Sequence, residues 1–307
     1  MERNNAQTAD MRNALLGASF VFLAAVAFAA KAVLVKLAYR FDVDALTVLA
    51  LRMVFSLPFF VAMAFWGEMK SETRISRRDM AAIFMLGLGG FYLSAYLDFV
   101  GLQYISAGLE RLILFLYPTM VVLISAAFLG RKIGKGDMVA LALSYLGVAL
   151  AYFHDISSYG ANATTGAILI FFCTLTYAAY LVGSGEIIKR AGPVRFTGYA
   201  MTVSCLAVIA HYATVHGTAT VHLHANVYRI GLLMAVISTV FPVFMMSEGI
   251  RRIGASRAAI ISSVGPVTTI FMAYLFLGEK ISATQVAGTA LIIAGVLSVG
   301  GSKVDSD

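Results

Sequence analysis

Charge is scarce in this chain: 13% of its 307 residues are Asp, Glu, Lys or Arg, against roughly 25% in a water-soluble domain. With 60% hydrophobic residues and a mean hydropathy of +0.85, a deficit sustained over the whole length excludes a soluble globule and points to lipid as the solvent. Cysteine is scarcer still. Cys173 and Cys205 are the only two, both inside apolar stretches, which excludes a disulfide framework and a thiolate metal site. A phosphate-binding Gly-x-x-x-x-Gly-Lys loop is missing, so the chain does not drive itself with ATP. His-Glu-x-x-His and Gly-x-Ser-x-Gly are missing as well, which removes two common hydrolase designs. The net charge of +7 lies in short loops without interleaved aromatics and speaks against a nucleic-acid partner. Met1 to Asn13 is polar, and the apolar run that follows extends to about Leu37. That run is too long for a signal-peptide core, so an uncleaved first helix is expected.

What is present is a series of apolar runs of spanning length, about 20 residues each. Ten are expected, at 14–38, 44–66, 80–100, 107–129, 137–153, 165–187, 195–214, 228–248, 256–277 and 283–300, with a boundary between halves at Asp155 to Gly160. Loop charge agrees with that number. Sixteen of the 23 Lys and Arg residues fall in the loops that share a side with both termini, and three (Arg40, Arg229 and Lys280) fall on the opposite side. Basic loops stay in the cytoplasm, so both termini are expected inside.

A block of sequence recurs 148 positions on. Phe128-Leu129-Gly130-Arg131-Lys132-Ile133 returns as Phe276-Leu277-Gly278-Glu279-Lys280-Ile281; Pro118 falls on Pro266, Gly101 on Gly249, and Gly147-Val148 on Gly295-Val296. Two five-helix halves, 14–153 and 164–300, are expected. Five is odd, so the halves enter from opposite sides. Inverted repeats of this kind give two similar-energy states, open inward and open outward, with the substrate between them. The expected fold is therefore an all-α integral membrane protein of ten transmembrane helices.

These pieces resemble the drug/metabolite transporter superfamily, in particular the EamA-type transporters with two EamA repeats. Ile105-Ser106-Ala107-Gly108-Leu109, Tyr117-Pro118 and the block at Phe128 are similar to that family's fourth span and its exit. Ile253-Gly254-Ala255-Ser256, Gly265-Pro266 and the block at Phe276 are similar to its ninth, and Val35-Lys36-Leu37-Ala38 and Leu51-Arg52-Met53 to its first and second. Where the family's first span commonly carries Trp-Gly-Ser, this chain has Phe28-Ala29-Ala30-Lys31. The resemblance implies a carrier of small solutes, often an exporter, without a cofactor.

Charges within spans cost at least ~2.5–3.5 kcal/mol each on insertion scales, so they are the first candidates for function. Lys31, Arg52, Asp98 and Glu110, with Lys36 and Arg111, all fall in the first half and its outer leaflet. They are expected to form a polar vestibule on the central cavity. Four cations against two carboxylates would draw an anionic or zwitterionic solute, and Asp98 or Glu110 would serve as a proton-coupling group. The plainer reading is that Lys36 and Arg111 snorkel to the interface and that Arg52 forms a structural ion pair with Asp98 or Glu110. Tyr92, Tyr96 and Tyr117 are candidate cavity-lining residues, Tyr92 and Tyr96 sharing a helix face; the alternative is packing. Pro118 and Pro266 remove backbone hydrogen bonds in mid-span and read as paired hinges or gates, or as kinks needed for packing. Gly147, Gly288 and Gly295 allow close helix approach, read as packing within one protomer, with a dimer contact as the alternative. His211 to His224 reads as an exposed loop whose His222 and His224 form at most a chance metal pair. Glu186 and Glu248 read as interface partners of Lys189 and Arg251.

The expected function is secondary transport in the bacterial inner membrane, as a monomer or homodimer. The chain would export amino acids or related organic anions by alternating access. Proton-coupled uptake of an anionic metabolite is the alternative. A membrane enzyme would need convergent catalytic groups, and a non-transporting sensor or assembly subunit would need a soluble domain or a large polar tail; the sequence has neither.

Overall fold

The computed structural model describes residues 2–71, 74–130, 133–217, 223–253 and 255–301. It is helical throughout, in the order α1 (Glu2–Tyr39), α2 (Ala45–Met69), α3 (Arg77–Leu86), α4 (Ser94–Gly101), α5 (Ala107–Leu114), α6 (Tyr117–Leu129), α7 (Lys135–Tyr159), α8 (Asn162–Ala191), α9 (Pro193–His216), α10 (Ala225–Ala235), α11 (Phe241–Ile253), α12 (Ala255–Ser262), α13 (Val264–Met272) and α14 (Ala283–Gly301). Among the described residues, eight continuous helical stretches are long and apolar enough to cross a membrane; two more, Val264–Leu277 and Ala283–Leu297, are apolar but shorter.

The breaks follow local chemistry. Asp42 takes φ 54° in the turn after α1, a left-handed conformation that Asp tolerates. Asp44 then caps α2, its carboxylate accepting from the amides of Leu46 and Thr47 at 2.9 and 3.0 Å. Ser76 and Ser106 cap α3 and α5 through their hydroxyls. Gly130 and Gly278 end their segments in the left-handed conformation, at φ 68° and 74°.

These last two positions are 148 apart, and other irregularities keep the same interval. Gly87–Leu93 is a π-helical turn between α3 and α4, and Val236–Val240 is another between α10 and α11. Such one-residue excesses are uncommon and recur at functional sites. Phe115-Leu116 interrupts α5 and α6; Ser263 interrupts α12 and α13. Helix contacts repeat in the same way. A Cβ built on Gly166 of α8 would lie 3.0 Å from the Gly101 carbonyl of α4, and one built on Gly249 of α11 would lie 3.0 Å from the Gly17 carbonyl of α1. Between α7 and α14, a Cβ on Gly147 would lie 2.5 Å from the Gly288 carbonyl, and one on Gly295 would lie 3.0 Å from that of Ala140. The largest core gathers α1, α2, α4 and α9 around Val35, Leu49, Met53, Phe99, Leu102 and Val208.

Several sequence expectations change. The fourth span breaks in the turn that precedes Pro118: Leu116 bonds back to Ile113 at 3.0 Å, and Pro118, lacking an N–H, stands in the first turn of the new helix. Pro266 likewise stands in the first turn of α13, after the break at Ser263. Asp155 to Gly160 is not a loop: α7 continues to Tyr159, and the chain turns only at Gly160, φ 65°. His211 and His216 lie within α9 rather than in a loop. His222, Arg131, Lys132 and Gly254, and the side chain of Glu186, fall outside the described residues.

Candidate functional site

Three charged side chains from three helices meet in the interior. Lys31 of α1 is bound by the carboxylates of Asp98, from α4, and Glu110, from α5; the contact with Glu110 Oε1 is 2.8 Å. Relative exposure is 12% for Lys31, 4% for Asp98 and 0% for Glu110. Asp98 Oδ1 and Glu110 Oε2 are buried without a partner, as is Nη2 of the neighbouring Arg111.

Sequence reasoning brought these residues to one region but expected an open vestibule. They form a closed cluster instead. Charge in lipid is stable only when paired; one ammonium shared by two ionised carboxylates offsets one of their two charges and leaves the other to the neighbouring Arg111.

Arg52 makes no ion pair among the described residues. Its Nε donates to Thr239 Oγ1 at 2.7 Å, and its guanidinium lies 5.5 Å from the centroid of the Phe99 ring. Arg111 does not snorkel. Its Nε donates to Thr269 Oγ1 at 3.0 Å. Each threonine hydroxyl donates in turn to a carbonyl, Thr239 to Met234 and Thr269 to Ala29. Two arginines from the first half are thus held by hydroxyls from the second. Nothing in the sequence marked those threonines, since Thr is unremarkable in a span and only folding brings α13 against α1 and α5.

Lys36 reaches across the halves as well. Its Nζ donates to the Ile105 carbonyl at 2.6 Å and pairs with Glu279 at 3.3 Å. Glu279 also accepts the Ala107 amide at 3.2 Å, at the start of α5. Arg40 donates to the Leu277 carbonyl at 2.9 Å. The expected excess of two positive charges therefore falls to one, because Glu279 supplies a third carboxylate from the second half. Its position was legible as the place in the recurring block where Arg131 gives way to Glu, a signal of altered electrostatics.

The tyrosines divide into two groups. Tyr92 and Tyr96 do share a face, and both meet His211 of α9: Tyr92 Oη lies 3.0 Å from His211 Nδ1, and the Tyr96 and His211 ring centroids are 5.0 Å apart. Tyr117 packs elsewhere, between Phe115 and Tyr177, and Tyr177 stacks on Tyr180. Glu248 pairs with Arg251 at 2.6 Å and Arg252 at 2.8 Å. Cys173 and Cys205 are free and buried. Among the described residues no group of His, Cys, Asp and Glu is arranged to hold a metal ion.

A buried, partly unsatisfied ion cluster where helices of two similar halves meet suits a protein that moves a polar solute. The EamA-like transporter family model matches residues 15–153 and again 164–301. The chain is 32% identical over 288 residues to the uncharacterized transporter YcbK of Bacillus subtilis, covering 92% of each chain. It is 28% identical to the probable terminal-alkyne amino-acid exporter of Streptantibioticus cattleyicolor, over 78% of this chain and 79% of that one. A solved crystal structure matches with TM-score 0.61 at 14% identity, over 94% of this chain and 96% of that chain, a likeness of fold alone. Two matched repeats and a full-length relative establish that this multi-pass membrane protein belongs to the EamA-like transporter family.

Proposed function

We propose that the protein is a secondary carrier of the bacterial inner membrane that exports amino acids or related organic anions by alternating access. Ten spans would form two oppositely inserted five-helix halves, with both termini in the cytoplasm. The observation that carries this reading is the repetition of backbone features at one interval. The π-helical turn at Gly87–Leu93, the mid-span break at Phe115-Leu116 and the left-handed glycine cap at Gly130 each return about 148 positions on, while a third π-helical turn, Ala273–Leu277, replaces what is ordinary α-helix at 125–129. Gly101 meets Gly166 as Gly249 meets Gly17, and Gly147 meets Gly288 as Gly295 meets Ala140; this exchange of partners between the halves supports a two-fold relation of the two. Two interlocked copies of one module have two equivalent ways to tilt.

On this reading the end of the bundle holding Lys36, Glu279 and the start of α5 faces outward, and the conformation described is closed there. The amino-acid exporter among the relatives supports the solute class, and cations beside buried carboxylates suit a zwitterion. Uptake coupled to protons through Asp98 or Glu110 is the second reading, favoured by their unpartnered oxygens. Reconstitution into liposomes tests both. Preloaded amino acids should exchange with labelled amino acid outside, without a pH gradient. Exchange of no amino or organic acid would remove the carrier reading, and uptake that requires an inward proton gradient would select the alternative.

A further inference from the structure

Resting on the carrier reading, we propose that Asp98 and Glu110 form a binding site for the primary ammonium group of a small zwitterion, that Lys31 fills this site while the carrier is empty, and that Arg111 takes the zwitterion's carboxylate. Three observations converge on it. First, two buried carboxylates from different helices already hold one ammonium, that of Lys31. A lysine ammonium and an α-ammonium present the same three donors, so what satisfies one satisfies the other. Second, Lys31 has the greatest exposure of the three side chains and the longest flexible stem, so it is the member able to withdraw. Third, the polar atoms left over are complementary to a zwitterion: acceptors at Asp98 Oδ1 and Glu110 Oε2, and a donor at Arg111 Nη2. The Arg111 guanidinium is held in place, because Thr269 binds its Nε and is itself anchored to Ala29, two residues from Lys31. A buried polar atom without a partner is costly, and a ligand that satisfies all three is bound by that difference. Lys31 would then offset one of the two carboxylate charges during the return of the empty carrier, where two bare charges in lipid would stall it.

The test is chemical rescue of the full chain in nanodiscs, read as melting temperature. In Lys31→Ala, n-propylammonium should raise the melting temperature with concentration, whereas propionate and tetramethylammonium, which lack the N–H donors, should not. Wild type should need about tenfold more propylammonium, because its own lysine competes. Lys31→Ala/Glu110→Gln should lose the response. L-alanine should stabilise Lys31→Ala more than propylammonium does, and Arg111→Gln should erase that advantage. Lack of response in Lys31→Ala, or equal responses with and without Glu110, would overturn the ammonium site; equal stabilisation by alanine and propylammonium would overturn the role of Arg111. Should Lys31→Ala not fold, its cell-free synthesis into nanodiscs with and without propylammonium gives the same answer, recovery supporting the site and no recovery refuting it. Binding is read without flux, so a silent liposome assay beside a positive amine response removes the carrier reading and leaves the site.

Discussion

Lys31, Asp98 and Glu110 are each expensive where they lie. Three isolated charges in the bilayer would cost about 8–10 kcal/mol on insertion scales. Gathering them replaces three solvation penalties with one compact cluster, and their mutual dependence is measurable. Lys31→Met should destabilise the protein by about 3–5 kcal/mol, the usual result of stranding a buried charge. In an Asp98→Asn/Glu110→Gln background the same change should cost far less, because no stranded carboxylate remains. Thermal melts of the four proteins in detergent give the coupling directly. Additive effects would show that the three residues do not act as a unit. Position in the sequence pointed to these residues because charge within a span is conspicuous. Their pairing was not legible, since helical phase alone does not say which faces meet across the bundle. The hydroxyls that hold Arg52 and Arg111 were invisible for the same reason.

At the scale of the element, one substitution has opposite effects at two glycines. Gly185 lies in α8 with nothing near a built Cβ, whereas at Gly147 the added atom would meet the Gly288 carbonyl. Gly185→Ala should stabilise by up to about 1 kcal/mol through helix propensity; Gly147→Ala should destabilise by about 1–3 kcal/mol by forcing α7 and α14 apart. Equal effects in thermal melts would mean that propensity, not helix contact, governs both. The cap of α2 makes a pH prediction. Burial would raise the Asp44 carboxyl, but the Thr47 hydroxyl, the Thr47 and Leu46 amides and His216 outweigh it and hold it below its ordinary 3.8. A depressed carboxylate contributes stability that is complete above the ordinary value and is lost as pH falls through the lower, folded one. Asp44→Ala should therefore cost about 1 kcal/mol at neutral pH, and the gap from wild type should close only in acid below that range. A gap that persisted there would assign the effect to something other than this carboxylate. Spans were legible from apolar length; the caps at Asp44, Ser76 and Ser106 came only with the structure. The π-helical turns were not legible either, because Gly87–Leu93 and Val236–Val240 share no composition that distinguishes them from ordinary helix.

For the whole molecule, the consequential contact is the one that ties the halves together beside the charged cluster. Glu279 follows the left-handed Gly278 and so projects from the second half onto the start of α5, where it meets Lys36 and the Ala107 amide. Lys36 and Lys31 lie on the same helix, which puts this latch between the cluster and one end of the bundle, the outer end on the reading proposed above. Its loss should favour the outward-open state. Each 1.4 kcal/mol removed from the closed state raises the open population about tenfold, and an ion pair plus a helix cap is of that order. A cysteine at Ala107, buried in the closed form, reports the change. Membrane-impermeant maleimide added outside whole cells should label Ala107→Cys slowly, and roughly tenfold faster once Glu279→Ala is added. Glu279→Gln keeps an acceptor for the Ala107 amide but loses the charge, so it should fall between. The native cysteines are buried and supply a low background in the parent chain. The inner end should show the reverse, with cytoplasmic labelling falling as external labelling rises, because one rigid-body tilt opens one side as it closes the other. Faster labelling from both sides would indicate local unfolding instead of a tilt. Unchanged external labelling in Glu279→Ala would show that Lys36 and Glu279 do not hold the halves closed.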